Sequence, residues 1–253
     1  MKVIVLGSGS KGNSTLLIEN NTKILIDVGF SYPKMKMLLE KYDYDPSMID
    51  AILITHTHKD HVAGLSSFVK KNNVKVFVNE VLFRELSKTI DEENLLLVDN
   101  EFNIENLCIT TIKTSHDSDG SVGFIVENEN KSLVYITDTG YINQRNLKKI
   151  VNKNLYIFES NHDVSMLMNG PYPYILKQRV LSDKGHLSNE LAGTYLRDVI
   201  GINTQKIVLA HLSETNNCAE IAINTNKEII GDKLSGIELL VALQDEILDL
   251  GEI

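Results

Sequence analysis

The sequence predicts an α/β protein, and three observations lead to that class. Short runs rich in Val, Ile, Phe and Tyr, bounded by Gly, Asn or Asp, recur along the chain as β-strands do. Helical patterns with apolar residues at i, i+3, i+4 and i+7 lie between some of these runs. The chain has 253 residues, of which 43% are hydrophobic and 23% charged, a composition typical of a globular protein with a large core. We therefore expect residues 1–253 to form a single domain.

These patterns place the individual elements along the chain. Strands are predicted at residues 2–6, 15–18, 23–27, 51–54, 74–78, 106–112, 121–127, 132–137, 154–159 and 206–210. A first helix is predicted to begin at Pro33, which suits the first turn, and a second to cover residues 62–71. A third helix follows Ser188, a good N-cap residue, and a fourth, weaker helical pattern begins at Cys218.

Composition excludes several classes of protein. The longest uninterrupted apolar run covers residues 239–243, which is too short for a transmembrane helix, so no membrane partner is expected. The apolar stretch at the N-terminus is also too short for a secretory signal. Two cysteines, Cys108 and Cys218, do not make a disulfide scaffold, so we expect a cytoplasmic protein. The net charge of −9 argues against indiscriminate nucleic-acid binding but allows a local basic patch.

A glycine-rich segment at residues 7–12 fits the G-x-G-x-x-G pattern of dinucleotide-binding proteins. That motif requires a helix directly after the glycines, because the pyrophosphate lies on the helix N-terminus. Residues 13–19 read instead as a second strand, with a hairpin turn at Asn20 and Asn21, so no helix fits there. We interpret the segment as a turn between two strands. The alternative is a loop whose backbone N–H groups border an anion site.

The strongest functional signal is the histidine-rich segment at residues 55–61, which follows a predicted strand. Neutral imidazole and carboxylate groups are the ligands that zinc, manganese or iron prefer. His56, His58 and Asp60 occupy alternate positions, so in an extended loop we expect them to converge. His61 then begins a helix and faces a second centre. A set of unrelated surface histidines is the alternative, but chance rarely places three of the seven histidines at this spacing.

Two metal ions need more ligands than this segment supplies, and three candidates lie downstream. His116, Asp138 and His211 each follow a predicted strand. Asp138 would suit the role of a single carboxylate that bridges both ions. Each residue taken alone also fits a turn residue or a buried structural histidine, but their shared position after strands favours the metal site.

The H-x-H-x-D-H run, followed by the three downstream candidates, resembles the metallo-β-lactamase superfamily over nearly the whole chain. The resemblance implies an αββα sandwich with two divalent metal ions at one edge. In the ligand set that it implies, one ion is bound by His56, His58 and His116, the other by Asp60, His61 and His211, and Asp138 bridges them. It also implies that Asp27 orients a ligand histidine or the metal-bearing loop.

The resemblance also indicates a particular group within the superfamily. His61 and the lack of a cysteine at a ligand position favour the hydrolytic branches. Residues 159–189, together with 6–14 and 210–213, are similar to the YycJ (WalJ) group, which is related to ribonuclease Z and PhnP-type phosphodiesterases. That group is associated with nuclease activity, including 5′-to-3′ action on DNA. The interval that follows the bridging aspartate is too short for the additional domain of β-CASP ribonucleases.

His186 matches the position where phosphodiesterase relatives place a catalytic histidine. The resemblance implies that His186 protonates the leaving oxygen or binds a phosphoryl oxygen. The alternative is that it only caps the helix that follows. Lys177, Arg179 and Lys184 lie near it in sequence and are candidates to hold flanking phosphates, or else are solvated surface charges. His162 is a candidate for substrate contact or for support of a metal ligand.

The resulting hypothesis is two-metal phosphodiester hydrolysis by a nuclease. Two divalent ions, zinc, manganese or iron, would lower the pKa of a bridging water so that hydroxide attacks phosphorus. Asp60 is a candidate to accept the proton of the water, and His186 to assist the leaving group. One alternative is a small-molecule hydrolase acting on a cyclic phosphodiester, a thioester or a lactone. The other is a non-catalytic, metal-stabilised scaffold. The sequence makes no prediction of the oligomeric state.

Overall fold

The computed structural model describes residues 1–253 and confirms the α/β class, with two seven-stranded β-sheets. The strands are β1 (Lys2–Gly7), β2 (Ser14–Glu19), β3 (Thr22–Ile26), β4 (Ala51–Leu53), β5 (Lys75–Val78), β6 (Leu95–Leu97), β7 (Glu101–Ile104), β8 (Leu107–Lys113), β9 (Val122–Glu127), β10 (Ser132–Ile136), β11 (Leu155–Glu159), β12 (Lys206–Ala210), β13 (Glu238–Val241) and β14 (Leu248–Glu252). The α-helices are α1 (Tyr32–Glu40), α2 (Lys59–Val62), α3 (Leu65–Asn72), α4 (Glu80–Leu86), α5 (Gln144–Lys149), α6 (Val164–Asn169), α7 (Tyr174–Leu181), α8 (Asn189–Val199) and α9 (Ala219–Ile230).

The two sheets repeat the same plan. The first has the strand order β14-β1-β2-β3-β4-β5-β6 and the second β13-β12-β11-β10-β9-β8-β7. In the first sheet β14 to β3 pair antiparallel and β3 to β6 pair parallel. In the second sheet β7 to β10 pair antiparallel and β10 to β13 pair parallel. Strands β3 and β10 therefore stand at the same central position of their sheets, where the pairing changes from antiparallel to parallel.

Alternating side chains of the central strands build the layers of the fold. Ile24 and Ile26 of β3 point into the core between the sheets, whereas Leu25 points outward into the cluster formed with α1, α3 and α4. Tyr135 of β10 likewise points inward, and Val134 packs outward in the cluster formed with α5, α8 and α9. Strands buried on both faces explain the continuous apolar runs in the sequence. The implied αββα sandwich is confirmed.

Both central strands lead into an aspartate with left-handed backbone. Asp27 directly follows β3 and has a φ of 62°. Asp138 is separated from the end of β10 by one residue and has a φ of 55°. Aspartate adopts this conformation more readily than most side chains, because its short polar group bonds to nearby backbone. The sharp change of chain direction at each strand end places both carboxylates at the same edge of the sandwich. That edge carries the candidate active site.

Most predicted elements are confirmed, and the helix predicted at residues 62–71 is wrong in its extent. Two helices, α2 and α3, occupy this region and are separated at Gly64. A Cβ atom at Gly64 would lie 1.9 Å from the carbonyl oxygen of Phe30, so the chain passes too close to its neighbour for any other residue. The turn assigned to residues 7–12 is confirmed, because β2 begins at Ser14 where a dinucleotide fold needs a helix. None of the helices has the length and apolar character required to cross a membrane.

Candidate active site

The candidate active site lies where the carboxyl ends of strands from both sheets meet. The loops that follow β3, β4, β8, β10, β11 and β12 supply its side chains. Hydrogen bonds join the two sheets at this edge: the Val122 N–H donates to the Thr55 carbonyl at 2.9 Å, and the His211 N–H donates to Ser8 Oγ at 2.8 Å. These bonds connect the segments that carry His56 and His211 to the opposite sheet.

The first group of potential ligands consists of His56, His58 and His116, whose ring nitrogens lie within 4.8 Å of one another. His56 is fully buried, and its Nε2 atom has no hydrogen-bond partner. His58 Nδ1 lies 3.2 Å from His116 Nε2. The other nitrogen of His116, Nδ1, donates to the Gly185 carbonyl at 3.2 Å, which leaves Nε2 available to a ligand.

A second group consists of Asp60, His61 and His211. Asp60 Oδ2 lies 3.4 Å from His61 Nε2 and 3.5 Å from His211 Nε2. The expectation that Asp60 converges with His56 and His58 is wrong. It assumed an extended loop, whereas the chain turns into α2 at Lys59, and helical geometry directs the carboxylate to the second group.

Asp138 lies between the two groups. Its Oδ2 atom is 3.2 Å from His61 Nε2, and its Oδ1 atom is 3.7 Å from His116 Nε2. The side chain is almost fully buried, and Oδ2 has no hydrogen-bond partner of acceptable geometry. One carboxylate thus presents an oxygen to each group, which is the placement required of a bridging ligand.

The arrangement fits divalent metal ions. Zinc binds imidazole nitrogens at about 2.0–2.1 Å in a tetrahedron, which places neighbouring ligand atoms about 3.3 Å apart. The atom pairs described above have separations close to this value. The buried His56 Nε2, Asp138 Oδ2 and His211 Nε2 atoms have no hydrogen-bond partner within the protein, a costly state that an ion would relieve. The set contains imidazole and carboxylate groups only, as zinc, manganese and iron accept.

Asp27 contacts both the segment that carries the candidate ligands and the ring of one of them, His61. Its Oδ1 atom accepts a hydrogen bond from the Thr55 backbone N–H at 2.9 Å, and its Oδ2 atom lies 2.8 Å from His61 Nδ1. Because Nδ1 of His61 is held in this way, its Nε2 atom faces Asp138 and Asp60. Burial raises the pKa of the Asp27 carboxyl, although the contact with His61 opposes this effect.

Changing Asp27→Asn is expected to reduce metal affinity by about 10- to 100-fold, the usual effect of losing a group that orients a ligand. The asparagine keeps the size of the side chain but loses the charge that fixes the His61 ring. Isothermal titration of the metal-free variant with Zn²⁺ measures the change. The exposed Asp99→Asn substitution is the control, and an Asp27→Asn affinity equal to that of the control would contradict a positioning role.

Glu159, at the end of β11, is a candidate functional residue that sequence reasoning missed. It is fully buried, and its Oε1 atom lies 2.8 Å from His186 Nδ1 and 3.0 Å from His211 Nδ1. Its Oε2 atom accepts the Thr139 and Leu187 backbone N–H groups at 2.9 and 3.2 Å. Burial alone would raise its pKa, but the adjacent His186 and His211 rings outweigh burial and lower the pKa to about 2. Glu159 therefore stays ionised and holds both rings.

The buried carboxylates give the site a strong affinity for positive charge. Burial disfavours a protonated ring at His61, yet the Asp138 and Asp27 carboxylates outweigh it and hold the His61 pKa well above its usual range. Burial is likewise outweighed at His211, where Asp138, Asp60 and Glu159 raise the pKa to about 10. In the metal-free protein these rings hold protons at neutral pH, and a bound cation takes the place of those protons.

Metal affinity is therefore expected to increase with pH. The metal must displace a proton from His61 and from His211. For each such ring, the affinity increases by up to about tenfold per pH unit as long as the pH is below the pKa of that ring. Calorimetric titration with Zn²⁺ in two buffers of different ionisation enthalpy counts the released protons. An affinity that is constant between about pH 6 and pH 8 would contradict the expectation.

The remaining sequence candidates have different positions. Lys184 lines a cavity beside His116, whereas Lys177 Nζ donates to the Met168 carbonyl at 2.7 Å and braces α6 against α7. Arg179 Nε donates to Asp117 Oδ2 at 2.6 Å, and Asp117 was not predicted. The Asp117 Oδ1 atom lies 3.5 Å from His58 Nε2, so this ion pair stands at the edge of the first ligand group.

His162 lies outside the groups of ligand atoms. It is 1% exposed, and neither ring nitrogen has a hydrogen-bond partner. Burial lowers its pKa to about 4, so the ring is neutral. Its backbone pairs with Ser188 in an isolated bridge, and its carbonyl accepts the Asn189 N–H at 2.9 Å. These contacts attach it to the start of α8 and to the segment that carries His186.

Comparisons with known proteins agree with this description. The sequence profile of the Beta-lactamase superfamily domain matches residues 22–212. Exodeoxyribonuclease YycJ of Bacillus anthracis is 34% identical over 238 residues, covering 92% of this chain and 90% of that protein. Exodeoxyribonuclease WalJ of Streptococcus pneumoniae serotype 2 is 36% identical over 228 residues, covering 87% and 85%. The structure of the metallo-β-lactamase fold protein YhfI from Bacillus subtilis superposes with a TM-score of 0.76 at 16% identity, covering 98% of each chain.

Proposed function

This chain belongs to the β-lactamase superfamily, and on that premise we propose that it is a metal-dependent phosphodiester hydrolase, an exonuclease that degrades DNA from the 5′ end. The observation that carries the proposal is the position of Asp138 between two groups of potential metal ligands, with the His186–Glu159 pair at their edge. The similarity to two proteins named exodeoxyribonucleases, over most of both chains, supports DNA as the substrate.

We propose that two groups of residues bind two metal ions. One ion would be bound by His56, His58 and His116, and the other by Asp60, His61 and His211, with Asp138 shared between them. When bound, such ions neutralise phosphoryl charge and lower the pKa of a nearby water. Zinc, manganese and iron all suit this ligand set.

Asp60 is proposed to orient the attacking water by accepting a hydrogen bond from it. Its side chain is partly open to solvent, in contrast to the buried Asp138. Burial raises the pKa of Asp60, but the adjacent rings of His211 and His61 outweigh burial and hold it well below the usual range. The carboxylate is therefore ionised at neutral pH and available to accept a hydrogen bond.

His186 is proposed to protonate the leaving oxygen. Its Nδ1 atom lies 2.8 Å from Glu159 Oε1, and its side chain is 20% exposed at the edge of the site. Glu159 fixes the ring orientation, so that the second ring nitrogen remains free to carry a proton to the substrate. A cap role for His186 is not needed, because Ser188 Oγ already accepts the Leu191 N–H at 3.2 Å.

We also propose that the protein is cytoplasmic, a location compatible with a DNA substrate. Both cysteines, Cys108 and Cys218, are free, which suits a reducing compartment.

The test uses the full chain, freed of metal and reloaded separately with Mn²⁺ and Zn²⁺. The substrates are single- and double-stranded DNA labelled at either end, RNA, and bis-p-nitrophenyl phosphate. The proposal expects DNA to be shortened from its 5′ end, and the activity to vanish in His61→Ala. Cleavage of the small diester alone would favour a metabolite phosphodiesterase instead. Inactivity on every substrate with metal bound would contradict phosphodiester hydrolysis and favour a thioesterase or a scaffold.

A further inference from the structure

A polar cavity of about 390 Å³ lies beside His116. Three parts of the chain form its wall: residues 113–121, at the end of β8 and in the loop after it, the loop that follows Asp138, and Lys184. Resting on the proposed function, we propose that this cavity binds a nucleotide next to the scissile phosphate. Lys113 and Lys184 would hold its phosphates, and Tyr141 would stack on its base. The volume is within the range of about 300–1,000 Å³ that is usual for small-ligand sites.

The two lysines of the cavity have no ion-pair partner. Some other lysines of this chain form ion pairs, such as Lys11 with Glu214 at 2.6 Å and Lys153 with Glu127 at 2.7 Å. Lys113 and Lys184 are exposed and form no ion pair. One acid, Asp119, shares the lining, so the cavity keeps an excess of positive charge in a protein of net charge −9. Such a local excess is what a phosphate backbone needs from an acidic protein.

Tyr141 supplies the aromatic surface. It is the hydrophobic member of the lining, it is 42% exposed, and no aromatic ring of the chain pairs with it. A half-exposed, unpaired tyrosine beside cationic groups is the arrangement on which single-stranded bases stack. The other lining residues are polar, so the cavity offers one apolar face and hydrogen-bonding groups around it. An inorganic phosphate would use only the lysines, whereas a nucleotide uses both features.

Hydrogen bonds from the backbone and from the Thr139 hydroxyl hold the backbone at this tyrosine in place relative to the ligand groups. The Gly140 N–H donates to the Ser115 carbonyl at 2.9 Å, and the Ser115 N–H donates to Thr139 Oγ1 at 3.0 Å. The Thr139 hydroxyl in turn donates to the Tyr141 carbonyl at 2.8 Å. Because Thr139 directly follows Asp138 and Ser115 directly precedes His116, the cavity wall is fixed to both ligand-bearing loops. A nucleotide held there would have its phosphodiester positioned beside the ions.

Binding is tested with the Mn²⁺-loaded full chain and a short single-stranded oligonucleotide whose phosphorothioate linkages resist cleavage. Tyr141→Ala is expected to weaken binding by about 5- to 150-fold, the effect of losing one stacked base, while Tyr141→Phe retains affinity. Lys113→Ala and Lys184→Ala are each expected to lower the slope of log Kd against log salt by about 0.7. Lys131→Ala is the matched control, because Lys131 precedes β10 at the sheet end opposite Asp138.

Hydrolysis of bis-p-nitrophenyl phosphate, measured alongside, separates this proposal from the proposed function. Tyr141-dependent binding without any hydrolysis by the wild type would support the nucleotide site and contradict the nuclease. DNA cleavage by the wild type, with Tyr141→Ala and both lysine variants binding as tightly as Lys131→Ala, would overturn the nucleotide site alone. Loss of affinity in the lysine variants with full affinity in Tyr141→Ala would also overturn it, since a phosphate site would explain that result.

Discussion

Asp138→Asn is expected to reduce phosphodiester hydrolysis by about a thousandfold or more and to remove metal from the protein. Asparagine keeps the shape of the side chain but lacks the charge and the second oxygen that reach toward His61 and His116. Loss of several kcal/mol of charge stabilisation corresponds to a rate reduction of this size. Metal content by elemental analysis, together with kcat on DNA, measures both effects.

The control for Asp138→Asn is Asp99→Asn, which changes an exposed carboxylate between β6 and β7. Thermal unfolding of the metal-free proteins shows whether the site variant folds. A folded Asp138→Asn protein that keeps two ions and wild-type kcat would disprove the bridging role.

His186→Ala is expected to reduce kcat on DNA by about 10²- to 10⁴-fold, the contribution usual for a general acid. The deoxyribose oxygen is a poor leaving group and needs the proton, whereas p-nitrophenolate leaves without one. Hydrolysis of bis-p-nitrophenyl phosphate is therefore expected to fall by less than about tenfold in the same variant. Steady-state kinetics on the two substrates, with metal content unchanged, provide the comparison. Equal losses on both would contradict proton donation by His186.

Glu159→Gln tests whether Glu159 acts by holding the ring of His186. Glutamine keeps the size of the side chain but removes the charge that holds the His186 and His211 rings. We expect a loss of about 10- to 100-fold in activity or metal affinity, and a smaller loss when His186 is already alanine. Additive effects of the two substitutions would show that Glu159 acts through His211 and the metal alone.

The sequence could predict most of the ligand groups because of where the residues stand relative to strands. His116, Asp138 and His211 all follow apolar runs, and the carboxyl ends of parallel strands meet at one edge of a sheet. The spacing of these residues in the sequence could not show which of them lie together in one group. An extended loop and a helix direct Asp60 to different neighbours, and the short α2 helix carries no strong periodicity of its own.

Glu159 and the cavity beside His116 could not be predicted from local patterns. Glu159 is the last residue of an apolar strand, and its partners His186 and His211 lie 27 and 52 residues away in the chain. Only the pairing of β11 with β10 and β12 brings these groups together. Tyr141 and Lys184 line the same cavity for the same reason. The helices α6 and α7 were missed because they are short and largely exposed.

The most direct test of the dinuclear site is a crystal structure of the metal-loaded protein with anomalous scattering from Mn²⁺ or Zn²⁺. We predict two ions about 3.5–4 Å apart. One is expected among His56, His58 and His116, the other among Asp60, His61 and His211, with Asp138 contacting both. A single ion at full metal loading, or ions bound away from Asp138, would contradict the account.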